Sequence, residues 1–271
     1  MRLSLAVTTH ERPEALAAVL QSVLAQRRVP DELIVADDGS GSATGAVIAD
    51  CARRAGFPLR HVRQEHEGFR ASRLRNRAIA AATGDYMVLI DGDMVLHRDF
   101  LADHCHLARP GFYTQGVRVM LDEARSRALA AAPLQPPGPA STGAGGLRRL
   151  YLLRARALQR PLRSVANGFV SIKGCNQGFW RRDLLAVNGY DEAFIGWGPE
   201  DKELCARLVH SGVRRQTLVA GGIAFHLHHP AASRAHRADN ERLLAQTLQT
   251  GRRRCTLGLD SHLQAAGVPH G

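Results

Sequence analysis

Strand-like and helix-like segments alternate along the N-terminal part of the chain, and this alternation constrains the fold more than any other feature. Short apolar runs predict strands, and apolar residues at helical spacing predict helices. The predicted strands are residues 3–9, 32–36, 59–62 and 86–90, and the predicted helices are residues 12–24, 43–55 and 70–82. Because parallel neighbours need a crossover between them, this order predicts a mostly parallel sheet flanked by helices, a Rossmann-like α/β fold.

The composition is that of a soluble globular domain. The 271 residues suffice for one large α/β domain or two small ones, and 45% hydrophobic with 23% charged residues excludes wholesale disorder. Five cysteines without a CxxC pair indicate neither a disulfide framework nor a zinc cluster. The apolar run at residues 3–7 is too short for a signal peptide, and no run approaches the roughly 20 apolar residues of a membrane span. We therefore expect a cytoplasmic protein.

The net charge of +11 comes from one region, because residues 124–182 contain eleven Lys and Arg and no Asp or Glu. Within it, residues 130–146 are rich in Ala, Pro and Gly and are predicted to form a loop. Residues 147–162 show helical spacing, with leucines on one face and arginines on the other, and Arg154 interrupts the leucine face. Two interpretations stay open. Residues 147–163 contact anionic headgroups on the inner face of a membrane, or they pack on the domain with their arginines in water.

Two acidic motifs follow predicted strands, at the sheet edge where parallel α/β proteins bind their ligands. Asp91 and Asp93, separated by Gly92, come directly after the strand at 86–90. Paired carboxylates at this spacing can hold a hard divalent cation. The second motif, Asp37-Asp38-Gly39-Ser40, can accept hydrogen bonds from a nucleobase or a ribose. The alternatives are a solvated turn for the first motif and a helix N-cap for the second.

A histidine cluster follows a short apolar segment in the C-terminal half of the chain. His226, His228 and His229 supply imidazoles that can complete a coordination sphere begun by the paired carboxylates. Mn²⁺ accepts such mixed oxygen and nitrogen ligands better than Ca²⁺ does. The alternative is a surface cluster without a ligand.

An aromatic residue precedes two further carboxylates. Trp197 lies between glycines and offers a flat face for a sugar ring, and Glu200 and Asp201 follow it at the start of a predicted amphipathic helix. A carboxylate in this position can take a proton from an attacking hydroxyl group. The alternative is an acidic first turn stabilised by the helix dipole.

Taken together, the order and spacing of these motifs resemble the family 2 glycosyltransferases of the GT-A fold. The segments that carry the resemblance are Val7-Thr8-Thr9, Asp37-Asp38-Gly39-Ser40, Arg75-Asn76, Asp91-Gly92-Asp93 and residues 196–201. Residues 174–201 also look like the galactosyltransferase-type C-terminal module of chondroitin polymerases and β-1,4-galactosyltransferases. The resemblance covers residues 3–230 apart from the basic region and is far more specific than any single motif.

The resemblance implies an inverting transfer of a sugar from a nucleotide-sugar, usually a UDP-sugar, to a glycan or glycolipid acceptor, with Mn²⁺ or Mg²⁺ as cofactor. It implies that Asp93 and His226 bind the metal and that Asp91 contacts the ribose or the metal, while the choice among the three histidines stays open. The residues that it implies around the nucleotide are Thr9, Glu11, Asp38, Arg75 and Asp91. The residues that it implies on the acceptor side are Trp197 and Glu200, with Asp201 as the general base and Glu200 beside it in the catalytic pair.

By the same resemblance the chain divides into four parts. Residues 1–123 bind the nucleotide-sugar, residues 124–165 form the loop and basic insert, and residues 166–230 hold the acceptor and catalytic groups. Residues 231–271 form a C-terminal tail, in which residues 240–250 are predicted to be helical.

Three other functions are weighed against this one. Retaining N-acetylgalactosaminyltransferases typically carry Asn where this chain has Asp201, so the acidic residue favours inversion. A sugar nucleotidyltransferase also needs paired aspartates and a metal, but it usually has a Gly-rich basic loop near the N-terminus, and residues 8–13 do not form one. A nucleic-acid-binding surface is disfavoured, because the basic region has few aromatic residues and no nucleic-acid motif accompanies it. We therefore expect no nucleic-acid partner.

Overall fold

The computed structural model describes residues 1–137, 152–163, 165–166, 172–230 and 233–265. The strands are β1 (Leu3–Thr9), β2 (Glu32–Asp38), β3 (Leu59–Gln64), β4 (Tyr86–Asp91), β5 (Met94–Leu96), β6 (Phe112–Gln115), β7 (Val119–Met120), β8 (Val165–Ala166), β9 (Asn176–Trp180), β10 (Arg214–Thr217) and β11 (Ala224–His226). The helices are α1 (Pro13–Leu24), α2 (Ser42–Arg54), α3 (Ala71–Ala81), α4 (Phe100–Leu107), α5 (Glu123–Ala131), α6 (Arg156–Leu162), α7 (Arg181–Ala186), α8 (Glu200–His210), α9 (Arg237–Thr250) and α10 (Asp260–Ala265).

Within these ranges, eight strands form one sheet in the order β3-β2-β1-β4-β9-β6-β10-β8. The strands β1 to β4 are parallel, as the alternating pattern predicts, whereas β9 runs antiparallel to both of its neighbours. A second, three-stranded sheet has the order β5-β11-β7. The carboxyl ends of β1, β2 and β4 therefore meet at one edge, and the small sheet begins just beyond it.

Helices cover both faces of the large sheet, which confirms the predicted α/β architecture. One hydrophobic core joins one face of the sheet to α1, α2, α4 and the small sheet. The other core joins the opposite face to α3, α7, α8 and α10. The strands that lie between the two cores are buried on both sides, which explains their almost continuous apolar sequence.

The strands and helices predicted for the first ninety residues are confirmed, with ends that shift by at most two residues. Strand β9 escapes such prediction because its first residues are polar. Asn176 and Gln177 are fully buried. The amide of Asn176 bonds to His104 and to the carbonyl oxygen of Val117, and Nε2 of Gln177 donates to Gln115. The C-terminal helix predicted at 240–250 begins three residues earlier, at Arg237.

The predicted continuous helix over 147–162 is wrong for the residues of this segment that the structure describes, which begin at residue 152. Residues 147–151 lie outside the described ranges, residues 153–155 are not helical, and α6 covers only Arg156–Leu162. Leu158 and Leu162 are 48% and 52% exposed, so packing of the leucine face on the domain is also wrong for these two residues. The predicted loop at 130–146 begins after the last turn of α5, and its residues 138–146 lie outside the described ranges.

A buried carboxylate explains why the helical pattern misleads. Asp103 on α4 has no exposed surface and accepts hydrogen bonds from Arg154, Gln159 and the backbone N–H of Gly222. Arg154 therefore anchors the segment instead of interrupting its packing. Gln159 turns inward with it, and the leucines of α6 turn outward.

A second buried network ties the C-terminal helix to α8. Glu203 and Arg207 are both fully buried and form an ion pair at 2.7 Å. Glu203 also accepts hydrogen bonds from Thr247 on α9 and from Arg252. Arg252 in turn pairs with Asp191 at 2.8 Å. Among the described residues, no helix is long and apolar enough to cross a bilayer.

Candidate active site

The paired aspartates lie where the buried strand β4 ends beside β1. Asp91 is the last residue of β4, and the backbone N–H of Gly92 donates to the carbonyl oxygen of Thr8 at 2.6 Å. A Cβ at position 92 would lie 2.7 Å from that oxygen, so only glycine permits this approach. The close contact with β1 directs Asp93 out of the sheet and toward the small sheet.

Asp93 and two of the three histidines form one group of potential metal ligands. His226 is in register with Met94 across the antiparallel β5–β11 pair, which brings its ring beside Asp93. Its Nε2 atom lies 3.6 Å from Asp93 Oδ1, and Nε2 of His229 lies 3.5 Å from Asp93 Oδ2. The side chain of His228 is not part of this group. Of the three candidate histidines, the structure thus brings the side chains of His226 and His229 beside Asp93.

This group has the chemistry that a divalent cation requires. Asp93 Oδ1 is buried and has no hydrogen-bond partner among the described residues, so the arrangement leaves this oxygen available to a ligand. Burial raises the pKa of Asp93 and lowers the pKa of His226, the latter favouring the neutral imidazole that binds metals. One carboxylate and two imidazoles fit Mn²⁺ or a similar ion and leave coordination positions for phosphate oxygens.

Asp91 points away from this group and toward α3. Its Oδ1 atom accepts hydrogen bonds at 3.3 Å from the hydroxyl of Thr8 and from Nη2 of Arg75. Arg75 is buried, and its guanidinium lies over the ring of Tyr190 at 5.3 Å from the ring centroid. The other arm of the guanidinium, Nη1, donates to Oε1 of Glu200 at 2.8 Å. Arg75 therefore connects the strand β4 edge to the start of helix α8.

Glu200 and Asp201 are the first two residues of α8, and Glu200 is buried whereas Asp201 is half-buried. Burial raises the pKa of Glu200 to about 7, because desolvation and the charge of Asp201 outweigh the charge of Arg75. Burial also raises the pKa of Asp201 against the charge of Arg75. A carboxylate with a raised pKa is a stronger base once it has lost its proton, which suits proton abstraction from a hydroxyl group.

The two aspartates of the second acidic motif make different contacts. Asp37 Oδ1 accepts a hydrogen bond from the backbone N–H of Ser40 and so holds the turn. The predicted helix N-cap is wrong, because the N-cap residue of α2 is Gly41 and no side chain caps this end of the helix. Asp38 instead bonds to the amide of Gln64 and to Nδ1 of His66, at 2.7 and 2.9 Å. The ring of His66 stacks on the ring of His10 with 4.2 Å between centroids. Asp38 thus lies at the sheet edge beside the stacked rings of His10 and His66.

Thr9 and Glu11 lie at the same edge. Thr9 ends β1 and is buried. Glu11 has a backbone φ of 45°, in the left-handed region that residues other than glycine rarely adopt. Its N–H donates to the hydroxyl of Ser40, and its carboxylate accepts from the N–H of Gly41. These two hydrogen bonds offset the strain and join the loop after β1 to the loop after β2.

Trp197 lies on an exposed loop before α8. It is 40% exposed, and the guanidinium of Arg234 lies over its ring at 5.2 Å from the centroid. The next glycine back, Gly196, donates its N–H to the carbonyl of Phe69, whose side chain is 46% exposed. The structure therefore places two exposed aromatic rings on the loops that precede α3 and α8.

Sequence reasoning missed three residues at this edge. They are His10, Arg12 and His66. His10 and Arg12 follow β1 and His66 follows β3, so each comes after a parallel strand, at the edge where Asp38 was expected to act. The rule that parallel strands end at one edge could have found them.

Comparisons with known proteins agree with this geometry. Residues 4–122 match the model described as glycosyl transferase family 2, and residues 162–230 match the model described as the N-terminal domain of galactosyltransferase. The N-terminal part of the chain is thus similar to the family 2 glycosyltransferases. The chain is 28% identical over 242 residues to a hyaluronan synthase of Pasteurella multocida and 26% identical over 262 residues to a chondroitin synthase of Escherichia coli.

These alignments cover 84% and 91% of this chain but 25% and 38% of the two relatives, so the chain spans well under half of their length. Two solved structures share the GT-A fold. S. aureus TarS 1–349 in complex with UDP gives a TM-score of 0.64 at 13% identity, covering 97% of this chain and 68% of that one. A mannosyltransferase from Pyrobaculum calidifontis in complex with GDP-Man and Mn²⁺ gives 0.56 at 18% identity, covering 100% and 76%.

Proposed function

We propose that this chain transfers a sugar from a nucleotide-sugar, specifically a UDP-sugar, to a hydroxyl group of a glycan or lipid-linked acceptor. The observation that carries the proposal is the position of Arg75. Its two arms join Asp91 at the donor edge to Glu200 at the start of α8, so one guanidinium connects the edge that carries Asp91 and Asp93 to the carboxylates of α8. The match to the family 2 model, the synthases among the similar proteins and the similarity to the TarS complex with UDP support this function.

The donor is assigned to residues 1–123 and the acceptor to residues 166–230. The nucleotide lies against Thr9, Glu11 and Asp38. Asp38 accepts hydrogen bonds from the base, and the loop at Glu11 borders the nucleotide on one side. Asp91 accepts hydrogen bonds from the ribose while Arg75 holds its carboxylate in place. Trp197 offers its exposed face to the acceptor sugar, and Glu200 orients the acceptor together with Asp201.

The residues that would hold the divalent cation are Asp93, His226 and His229. A bound Mn²⁺ or Mg²⁺ supplies positive charge that neutralises the diphosphate leaving group. The mixed oxygen and nitrogen donor set and the unpartnered Asp93 Oδ1 support this assignment.

Asp201 acts as the general base in a single displacement. Its carboxylate takes the proton of the acceptor hydroxyl as the hydroxyl oxygen forms a bond to the anomeric carbon. The bond from that carbon to the diphosphate breaks at the same time, and its electron pair leaves with the nucleoside diphosphate. One displacement inverts the configuration, so a UDP-α-sugar yields a β-linked product.

The arginine-rich segment favours an additional role at a membrane surface. Leu153, Leu158 and Leu162 are each about half exposed, and they alternate with Arg156 and Arg160 along the segment that Asp103 anchors. Exposed leucines beside arginines suit the headgroup region of an anionic bilayer. Flotation with vesicles that contain anionic lipid tests this role. The wild type is compared with a triple variant that carries Arg156→Gln, Leu158→Ser and Arg160→Gln, and with a control variant that carries Arg237→Gln and Arg242→Gln on α9. Equal flotation of these three proteins contradicts the role.

The experiment that tests the main proposal is nucleotide release from a panel of UDP-sugars with Mn²⁺. Slow release from one donor, which is abolished by EDTA and by Asp93→Ala, supports the donor and metal assignments. Absence of UDP binding by calorimetry refutes the transferase proposal. Once a donor and an acceptor are known, the proton coupling of the anomeric centre by NMR decides the stereochemistry, and an α-linked product from a UDP-α-sugar refutes inversion.

A further inference from the structure

Arg12 holds the carboxylate that carries the metal site. Its Nη1 atom donates to Asp93 Oδ2 at 2.7 Å, and Nη2 donates to the carbonyl oxygen of His228 at 3.1 Å. One guanidinium thus contacts both segments that contribute to the group of Asp93, His226 and His229. The side chain of Arg12 is 36% exposed and that of Asp93 is 11% exposed, so the guanidinium lies on the solvent side of the buried carboxylate.

The two oxygens of Asp93 are used differently. Oδ2 is paired with Arg12, while Oδ1 is buried without a hydrogen-bond partner among the described residues and lies 3.6 Å from His226. His229 lies 3.5 Å from the oxygen that Arg12 occupies. A divalent ion that used both histidines would therefore meet the positive charge of Arg12 on the same carboxylate. Two cations on one carboxylate repel each other strongly at this burial.

Arg12 is presented by a loop that is fixed at its other end. Glu11, in its left-handed conformation, is bonded to Ser40 and Gly41, and His10 contacts the carbonyl oxygen of Asp38 at 2.7 Å. Pro13 then starts α1 directly after Arg12. The backbone on both sides of Arg12 is restrained, so the side chain alone can move between partners near the edge of the sheet.

We propose that Arg12 binds the diphosphate of the donor and that, when no donor is bound, its guanidinium takes the place of the metal ion on Asp93. This inference rests on the proposed function, because it takes the donor to be a nucleoside diphosphate sugar. When metal and donor bind, the guanidinium leaves Asp93 Oδ2 and pairs with the donor's diphosphate, for which its planar donor geometry is suited. The metal and the donor then bind cooperatively, since the donor draws the Arg12 guanidinium away from Asp93 and so removes the charge that opposes the metal.

The proposal is tested with Arg12→Met, which keeps the length of the side chain and removes its charge. Two affinities change in opposite directions. The affinity for Mn²⁺ alone, measured by electron paramagnetic resonance, rises about three- to tenfold because the competing charge is gone. The affinity for UDP in saturating Mn²⁺, measured by calorimetry, falls about tenfold because a charge-assisted contact is lost. A purely structural role of Arg12 would weaken both.

Controls separate this inference from the proposed function. Arg12→Lys keeps the charge, so its Mn²⁺ affinity stays near that of the wild type and reports on folding. Arg53→Met removes one exposed arginine on α2 and leaves both affinities unchanged. Unchanged or weaker Mn²⁺ binding by Arg12→Met overturns the role of Arg12, and so does unchanged UDP binding. Equal Mn²⁺ binding by the wild type and Asp93→Ala instead removes the metal site itself.

Discussion

Arg75 donates a hydrogen bond from Nη1 to Oε1 of Glu200 at 2.8 Å, although the two residues lie 125 positions apart in the chain. The same guanidinium contacts Asp91 through Nη2. Its charge lowers the pKa of both Glu200 and Asp201 against the opposing effect of burial. Arg75 thus both positions the carboxylate pair and determines the pH at which the pair becomes charged.

Replacing Arg75 with Met is expected to shift the acid limb of the pH–rate profile upward. Without the cation, burial raises the pKa of Glu200 and Asp201 further, so the base is charged only at higher pH. We expect a shift of at least about one pH unit. Arg75→Lys keeps the charge and leaves the limb near its wild-type position, and Arg77→Met on the same helix serves as the control. A limb that does not move in Arg75→Met contradicts this electrostatic role.

Replacing Asp201 with Asn is expected to lower kcat by about 10²- to 10⁴-fold, because the proton of the acceptor hydroxyl loses its recipient. UDP affinity in the presence of Mn²⁺ stays unchanged, since the proposed donor contacts come from other elements. Steady-state UDP release and calorimetry measure the two quantities. Asp183→Asn, in the first turn of α7, is the control. If Glu200→Gln abolishes turnover and Asp201→Asn does not, Glu200 is the general base in place of Asp201.

The histidine cluster gives a prediction with an internal control. His226→Ala and His229→Ala each weaken Mn²⁺ binding by at least about tenfold, because each removes a potential ligand beside Asp93. His228→Ala leaves the affinity within about twofold, since the backbone N–H of His228 bonds to Ser126 and its ring is outside the ligand group. Titration of Mn²⁺ followed by electron paramagnetic resonance measures all three. Loss of binding in His228→Ala alone would show that a different imidazole binds the ion.

The ion pair of Glu203 and Arg207 gives a prediction about stability. Glu203→Gln leaves the buried guanidinium without its counter-charge, so the free energy of unfolding falls by about 3–5 kcal/mol. Urea unfolding at pH 7, followed by circular dichroism, measures this change. Glu241→Gln removes an exposed pair with Arg237 on α9 and costs no more than about 1 kcal/mol. Similar losses in both variants would contradict a special role for the buried network.

The pH dependence of stability has a definite sign at the same residue. Burial alone would raise the pKa of Glu203, but hydrogen bonds from Arg207, Thr247 and Arg252 lower it below its ordinary value of 4.5. A depressed pKa in the folded state means that the stabilisation is complete above pH 4.5 and is lost as the pH falls through the folded-state pKa. Glu203→Gln therefore flattens the stability curve on its acid side.

Much of the fold follows from local patterns, because the parallel strands are buried on both faces and the helices between them have one apolar face. The same patterns locate Asp38, Asp91 and Asp93, since these residues follow strands directly. They do not locate β9 or β11. The first of these strands carries buried amides in place of apolar residues, and the second has only three residues, too few for any periodicity.

The parts of the site that the sequence cannot predict depend on contacts between distant residues. The position of His226 beside Asp93 depends on the register of β11 against β5. The pairing of Arg12 with Asp93 joins positions 81 residues apart. Arg154 interrupts an apolar face in the sequence, yet it is an anchor because the buried Asp103 lies on a helix far from it in the chain.

The central position of β9 has a consequence for the order in which the protein is made. Strand β6 reaches β1 to β4 only through β9, so β6 cannot join them in one sheet until the ribosome has delivered residue 180. The small sheet needs β11 and waits until residue 226. A nascent chain that has emerged to residue 122 already holds the β1, β2 and β4 edge with Asp38 and Asp93. It has neither Glu200 and Asp201 nor His226 and His229, so the edge that carries the aspartates is synthesised before these four residues.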